Sequence, residues 1–290
     1  MTAQNKKKNK TSWPVVLLWI VIAAVCIQGF LLLQHKDVIV PVQKHPVVKQ
    51  VKQVKPPVAK APPVMVSQGK IAIVLDDWGF NQSHCKYLKS FDAPVAPAVM
   101  PDLQYSKDII QCAIDAGQEP ILHLPLEPHS NKDVYPRGYI LTTWMSQKEV
   151  QRLLVKILNE YPGVVGVNNH MGSKATENKP MMTTILTELK KRGLFFLDSV
   201  TSVHSICTEV AKETGIRFSR RDIFLDNRNE RASIEHEFEA GVKIAHDRGF
   251  ALMIGHDRAL TLQIVQEEII KYKKQGYEFV SLKDYIKAQQ

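Results

Sequence analysis

Five glycines, Gly117, Gly193, Gly215, Gly249 and Gly276, each stand where an amphipathic stretch stops and a short apolar run begins. Glycine just past a helix takes the left-handed conformation without a steric penalty, so each marks a helix-to-strand junction. Eight apolar runs suit buried strands: Lys70–Leu75, Val95–Met100, Pro120–Leu126, Val164–Val167, Leu194–Leu197, a broken Ile216–Leu225, Phe250–Ile254 and Tyr277–Leu282. Helices fit between them. In Ser146–Glu160 the apolar residues Val150, Leu153, Leu154, Ile157 and Leu158 share one face, and Ser146 with Glu149 has the spacing of a capping box. Repeated β–α units imply parallel strands, in an open doubly wound sheet or in a barrel. No Gly-x-Gly-x-x-Gly follows the first run, so a dinucleotide-binding fold has no support. Seven or eight units in some 220 residues predict an α/β fold of the β/α-barrel kind, distorted or incomplete.

A different kind of chain precedes that domain. Thr11–His35 carries no formal charge, and Val15–Leu33 is almost wholly apolar. Nineteen residues at a helical rise of about 1.5 Å cross roughly 28 Å, the thickness of a hydrocarbon core. Lys6, Lys7, Lys8 and Lys10 lie just before it and predict a cytoplasmic N-terminus with an exported C-terminus. A cleaved signal peptide is the alternative, but the run is long for one and no small-x-small site follows it. Residues 37–68 are a Pro/Val/Lys segment without helical period, suited to an extended spacer. The expected organisation is a cytoplasmic N-terminus (1–12), a single transmembrane helix (13–35), a spacer (36–68) and a globular domain (69–290).

The net charge of +9 belongs to the leader. Residues 1–68 hold ten of the 38 basic residues and one of the 29 acidic ones, leaving 28 of each for the domain. A neutral domain argues against nucleic acid as a partner. The domain's cysteines, Cys85, Cys112 and Cys207, lack Cys-x-x-Cys spacing. They permit at most one internal disulfide, and burial as small apolar residues is the expectation.

Ionisable residues gather where the predicted strands end. The first runs into Asp76-Asp77, the third contains His123, and the fourth runs into Asn168-Asn169-His170. The fifth ends at Asp198, the sixth region carries Arg221, Asp222 and Asp226, and the seventh ends at His256-Asp257. C-terminal strand ends are the face on which β/α-barrels carry active sites, and buried strand ends do not otherwise favour charge. Each residue also has a plainer reading. Asp76 or Asp77 could cap a helix, His123 could be a satisfied core histidine, and His170 and His256 could serve packing. Asp198 and Asp222 could be structural hydrogen-bonders. His35, His45, His84, His129, His204, His236 and His246 lie in spacer, loops or helices and carry no functional expectation. Two imidazoles and a carboxylate suit a divalent metal, zinc first, with a position left open for water. A further carboxylate could take that water's proton and a histidine could protonate a leaving group.

The ordered segments IAIVLDDWGF, ILHLPLEP, GVNNHMGSKAT, FFLDSVT, RRDIFLDN and MIGH resemble the divergent polysaccharide deacetylase family, over roughly Lys70–Tyr285. The family is a branch of the metal-dependent carbohydrate esterases with a distorted β/α-barrel. The resemblance implies Asp76 as general base, Asp77 as metal ligand and His256 as general acid. It also implies an N-acetylated polysaccharide, such as peptidoglycan, as partner. The wider superfamily's second motif has two His four apart, whereas Lys174 stands four after His170. His123, from another strand, is then the natural second imidazole ligand beside His170. The superfamily's Arg-x-Pro-aromatic motif is absent too, and Arg221, beside Asp222, is the candidate substitute, with Asp198 as further support. Three functions remain to be separated. They are an extracytoplasmic deacetylase, a non-catalytic glycan-binding or envelope-assembly protein on the same barrel, and a metal-free glycosidase using Asp76, Asp198 and Asp222.

Overall fold

A computed structural model of the chain describes residues 67–130 and 137–289. The expected N-terminus (1–12), the anchor (13–35) and nearly all of the spacer lie outside the described residues. Among the described residues no helix is long and apolar enough to cross a membrane.

The strands run where the apolar runs predict, with small shifts at their ends. They are β1 (Lys70–Trp78), β2 (Ala96–Val99), β3 (Ile121–Leu126), β4 (Gly166–Met171) and β5 (Phe195–Asp198). After them come β6 (Phe218–Arg220), β7 (Ile223–Phe224), β8 (Phe250–His256) and β9 (Glu278–Phe279). The broken run at 216–225 is thus two short strands, and the last predicted strand shrinks to two residues. Eight helices separate them: α1 (Cys85–Ser90), α2 (Ser106–Asp115), α3 (Gln147–Glu160), α4 (Lys179–Lys191), α5 (Cys207–Thr214), α6 (Arg231–Arg248), α7 (Ala259–Lys274) and α8 (Leu282–Lys287). Ser146 caps α3 in a full capping box with Glu149. All five junction glycines have positive φ, from 65° at Gly215 to 92° at Gly276. At Gly215 a left-handed cap ends α5 and its N–H donates to Ala211 O.

All the strand pairings are parallel, in the order β6-β5-β4-β3-β2-β1-β8-β7, with β9 added to β1. The two edge strands, β6 and β7, are separated in sequence only by Arg221 and Asp222. So short a link spans no more than about 10 Å, so the sheet must curl until its edges nearly meet. This is the distorted, incompletely closed barrel that the sequence predicts.

Alternation along the strands divides the core. Ile71, Ile73 and Leu75 of β1 join the larger apolar cluster beneath the helices. Ala72 and Val74 join a smaller one inside the curl, with Ala98, Ile121, Leu197, Leu252 and Ile254. Leu282, Tyr285 and Ile286 of α8 complete the inner cluster. Successive strand residues point to opposite faces, so the inner phase can be counted forward from these positions. It reaches Asp76 on β1, His123 on β3 and His256 on β8. On β4, Val167 is in the outer cluster, which leaves Asn168 and His170 facing inward.

One expectation about cysteine is overturned. Cys85, at the start of α1, and Cys112, on α2, form a disulfide with Cα atoms 6.2 Å apart. The two lie 27 residues apart in sequence, and it is the packing of α1 on α2 that makes them neighbours. Cys207 is free and buried, as expected.

Candidate metal centre

Asp76 and Asp77 are consecutive, so in a regular strand their side chains would point to opposite faces. The backbone resolves this. Asp77 has φ 64°, and the β1–β2 register slips between Leu75 and Trp78. Aspartate enters the left-handed region more readily than most residues, and the bulge re-aims its carboxylate. Both acids therefore serve one site.

Three ligand-type atoms then converge. Asp77 Oδ1 lies 3.1 Å from His170 Nδ1 and 3.3 Å from His123 Nε2, and the two ring nitrogens are 3.2 Å apart. These three residues form the group of metal-binding type among the described residues. Asp77 Oδ1 is buried, yet it finds no hydrogen-bond donor. An unsatisfied buried carboxylate oxygen is costly unless a cation answers it. Ligands at 2.0–2.1 Å in a tetrahedral shell would stand about 3.3 Å apart, so the spacing fits a metal of zinc's size.

Asn168 organises the next layer. Its Oδ1 lies 2.8 Å from His123 Nδ1, and its Nδ2 donates to Asp76 Oδ1 at 2.8 Å and to Ser199 Oγ at 3.1 Å. As an acceptor, Asn168 Oδ1 places the His123 proton on Nδ1 and leaves Nε2 free for a cation, the usual arrangement behind a metal-binding imidazole. Desolvation dominates at Asp76 and raises its carboxyl above the ordinary value, against the pull of His123 and His256. Burial opposes charge at His123, but Asp76 and Asp77 outweigh it and push the imidazole up to about 9. At Asp77 burial is likewise overcome, by His123 and His170, which hold the carboxyl well below its usual range.

His256 stands across β1 from these ligands, paired in register with Asp76. Its Nε2 is 3.8 Å from Asp77 Oδ2 and its Nδ1 is 2.8 Å from Asp226 Oδ1. Asp226 also accepts the backbone N–H of His256 and the hydroxyl of Thr261. Desolvation works against protonation of His256, but the hydrogen bond and the charge of Asp226, together with the charges of Asp77 and Asp76, outweigh it and the imidazole titrates above its normal value.

The remaining predicted site residues fall elsewhere. Asp222 accepts from Leu252 N at 2.8 Å and pairs with Arg248 at 2.7 Å. Leu252 is four residues before His256, so this carboxylate sits about 13 Å back along β8, toward the opposite end of the barrel. Asp198 shares its phase with Phe196, outside the curl, and spends its oxygens on Val200 N and Ser205 Oγ at 2.8 and 2.7 Å. It fixes the loop after β5, where Val200 has φ 54°. Arg221 donates to the carbonyls of Ser199 and Val200 at 2.8 and 3.2 Å, and the charge of Asp76 is felt at the guanidinium without a hydrogen bond between them. Lys174, in place of the second histidine, pairs with buried Glu127 at 2.7 Å.

Two further side chains near the centre, Asp226 and His84, carry no expected role in the sequence. The strand-end acid that supports His256 is Asp226, not the expected Asp222 four residues earlier. His84 lies 2.6 Å from Asp257 Oδ1, and Asp257 N donates to Asp76 O. No local signal marks this contact, which joins residues 173 apart.

Known proteins resemble this chain over most of its described residues. The protein YibQ of Escherichia coli K12 is 32% identical over 204 residues, which are 70% of this chain and 63% of that protein. A protein of Haemophilus influenzae Rd is 34% identical over 186 residues, 64% of this chain and 66% of the other. The chain thus spans just under two thirds of the length of these relatives. A crystal structure from Agrobacterium tumefaciens C58 superimposes with a TM-score of 0.71 at 22% identity, covering 76% of this chain and 90% of that one. That similarity concerns the fold. The family described as divergent polysaccharide deacetylase matches residues 73–286, from the middle of β1 into α8. The chain belongs to the divergent polysaccharide deacetylase family.

Proposed function

We propose that this protein is a metal-dependent hydrolase that removes N-acetyl groups from an envelope polysaccharide. The observation that carries the reading is the orphaned Asp77 Oδ1, set among His123 and His170 at metal-ligand spacing and beside the buried Asp76. Asp77, His123 and His170 would hold the metal, and the mixed nitrogen and oxygen donor set favours zinc. When bound, such an ion polarises an acyl carbonyl and makes water more acidic. Asp76, held by Asn168, takes the proton of the attacking water. His256 presents Nε2 to the departing amine, while Asp226 fixes its Nδ1–H and stabilises the charged ring.

Membrane tethering and an extracytoplasmic site belong to the same proposal. The apolar run Val15–Leu33 behind its lysine cluster supports them, and so does the Cys85–Cys112 disulfide, a feature of oxidising compartments.

The motif departures favour a second reading, a glycan-binding protein that keeps the centre without turnover. Asp76 is only 3% exposed, and Arg221 makes no hydrogen bond to it. One experiment separates the two. The full chain is loaded with zinc, its metal content is measured, and acetate release from N-acetylglucosamine oligomers is followed with wild type and Asp76→Asn. Turnover in wild type that falls by a factor of 10² or more in Asp76→Asn supports the hydrolase. Zinc-loaded protein that binds the oligomers equally in both forms and releases no acetate supports the binding protein.

A further inference from the structure

The most exposed large apolar side chains among the described residues are Val203, Trp144 and Phe80, at 89%, 75% and 56%. They follow β5, β3 and β1, and therefore all stand on the loops of the metal-bearing face. An indole is the largest apolar surface a side chain offers, and leaving it in water has to be offset elsewhere.

Trp144 is held in place rather than left on a loose tip. Leu141 bridges Leu126 in parallel, on the side of β3 away from β4, so the segment after it continues outward past the end of β3. Met145 N donates to Thr142 O at 3.1 Å, closing a tight turn with Trp144 at its third position. Thr143 donates to Glu127 Oε2 through both N–H and hydroxyl, at 2.5 and 2.6 Å. Glu127 is buried at the end of β3, and its other oxygen accepts from Lys174 at 2.7 Å. Lys174 and Ala175 also donate their backbone N–H groups to Glu127 O, four and five residues after His170. One buried carboxylate thus ties the Trp144 turn to the strand-end loop that carries a metal ligand. Two strand spacings and a short rise put the indole on the order of 10–15 Å from His170.

A large apolar plate immobilised beside a polar hydrolytic centre fits a substrate with alternating polar and apolar surface. A sugar ring is such an object, with hydroxyls at its edge and C–H groups on its faces. We propose that Trp144 is a sugar-stacking subsite, so that the substrate is a chain of several sugars that reaches from the metal centre to the indole. This rests on the carbohydrate reading of the centre, and it gives the polysaccharide of that reading a second point of contact, at Trp144.

The test is a titration of the zinc-loaded full chain with N-acetylglucosamine oligomers of one to six units, followed by tryptophan fluorescence and by calorimetry. The full chain has three other tryptophans, Trp13, Trp19 and the fully buried Trp78, so the part of the spectral change that disappears in Trp144→Phe reports on the exposed indole. The expected result is affinity that rises with chain length in wild type and is about tenfold weaker for the hexamer in Trp144→Ala, with Trp144→Phe in between. Affinity for the hexamer unchanged in Trp144→Ala overturns the proposal even if acetate is released. No binding of any oligomer by wild type overturns it as well. Binding that depends on Trp144 without acetate release leaves the subsite standing and removes the hydrolase.

Discussion

Strands β1, β3, β4 and β8 and strands β5 to β7 carry the same kind of residue at their ends, yet only the first group turns them into one centre. Asp76, His123, His170 and His256 share the inner phase of the sheet, and Asp77 is brought to them by its left-handed backbone. Asp198 stands in the outer phase, and Asp222 and Arg221 lie in the two-residue link between the sheet's edges. Their hydrogen bonds are spent on Val200, Ser205, Leu252, Ser199 and the neighbouring backbone. The difference teaches that an acid at a strand end joins the centre when the count from the core places it inside or, as at Asp77, when a left-handed residue re-aims it. On the other face it becomes a clamp for the loop.

The most severe way to break this division is to remove a ligand from the first group. His170→Ala or Asp77→Ala should reduce metal content from about one ion per chain to near zero, read by elemental analysis after zinc loading. Thermal stabilisation by added zinc should vanish in the same variants, because only metal bound to the native state stabilises it. Full metal occupancy in either variant would place the centre elsewhere.

Asp226 sharpens the division, since it comes from the β6–β7 side and yet serves His256. Asp226→Asn should lower turnover by roughly 10² and leave zinc content unchanged, because the imidazole loses its orienting acceptor and the metal ligands do not. Asp222→Asn is the matched control. Its contacts to Leu252 N and Arg248 are remote from the centre, so its expected cost is about 1–2 kcal/mol of stability. Equal effects of the two variants on turnover would erase the distinction between them.

Much of this was legible because it is local. Gly117, Gly193 and the other junction glycines mark helix ends, the Ser146–Glu149 box marks the start of α3, and long runs such as β1 and β8 carry their own pattern. The two imidazoles of the metal group follow from their strands, since His123 and His170 lie on paired neighbours, whereas Asp77 joins them only through its left-handed backbone. The rest depends on contacts that no local pattern encodes. β6 and β7 are three and two residues long, too short for alternation to tell Asp222 from Asp226. The Cys85–Cys112 bridge and the His84–Asp257 contact exist only once α1 has packed.

The disulfide tests whether α1 matters to the centre or merely to stability. By the chain-entropy estimate, closing a loop of this length is worth roughly 3–4 kcal/mol, so the double variant Cys85→Ser, Cys112→Ser should lose about that much in urea unfolding. His84 immediately precedes Cys85, so loss of the bridge also loosens the partner of Asp257, next to His256. A stability loss without a change in turnover would confine the bridge to the scaffold.

The smallest expected effect lies at Glu127, where the two regions of the face are joined by one carboxylate. Burial alone would raise its titration, but Lys174 and the Thr143 donors hold it below the usual carboxylate range. A carboxyl depressed in the folded state adds stability above its unfolded value near 4.5 and loses it as pH falls through the folded value. Glu127→Gln should therefore cost about 1 kcal/mol at neutral pH, and the gap to wild type should narrow under acid, as measured by unfolding from pH 7 down to pH 3. The same variant should weaken hexamer binding, because the Thr143 anchor that holds the Trp144 turn is weakened. Intact binding together with the expected stability loss would show that the turn holds its place without Glu127.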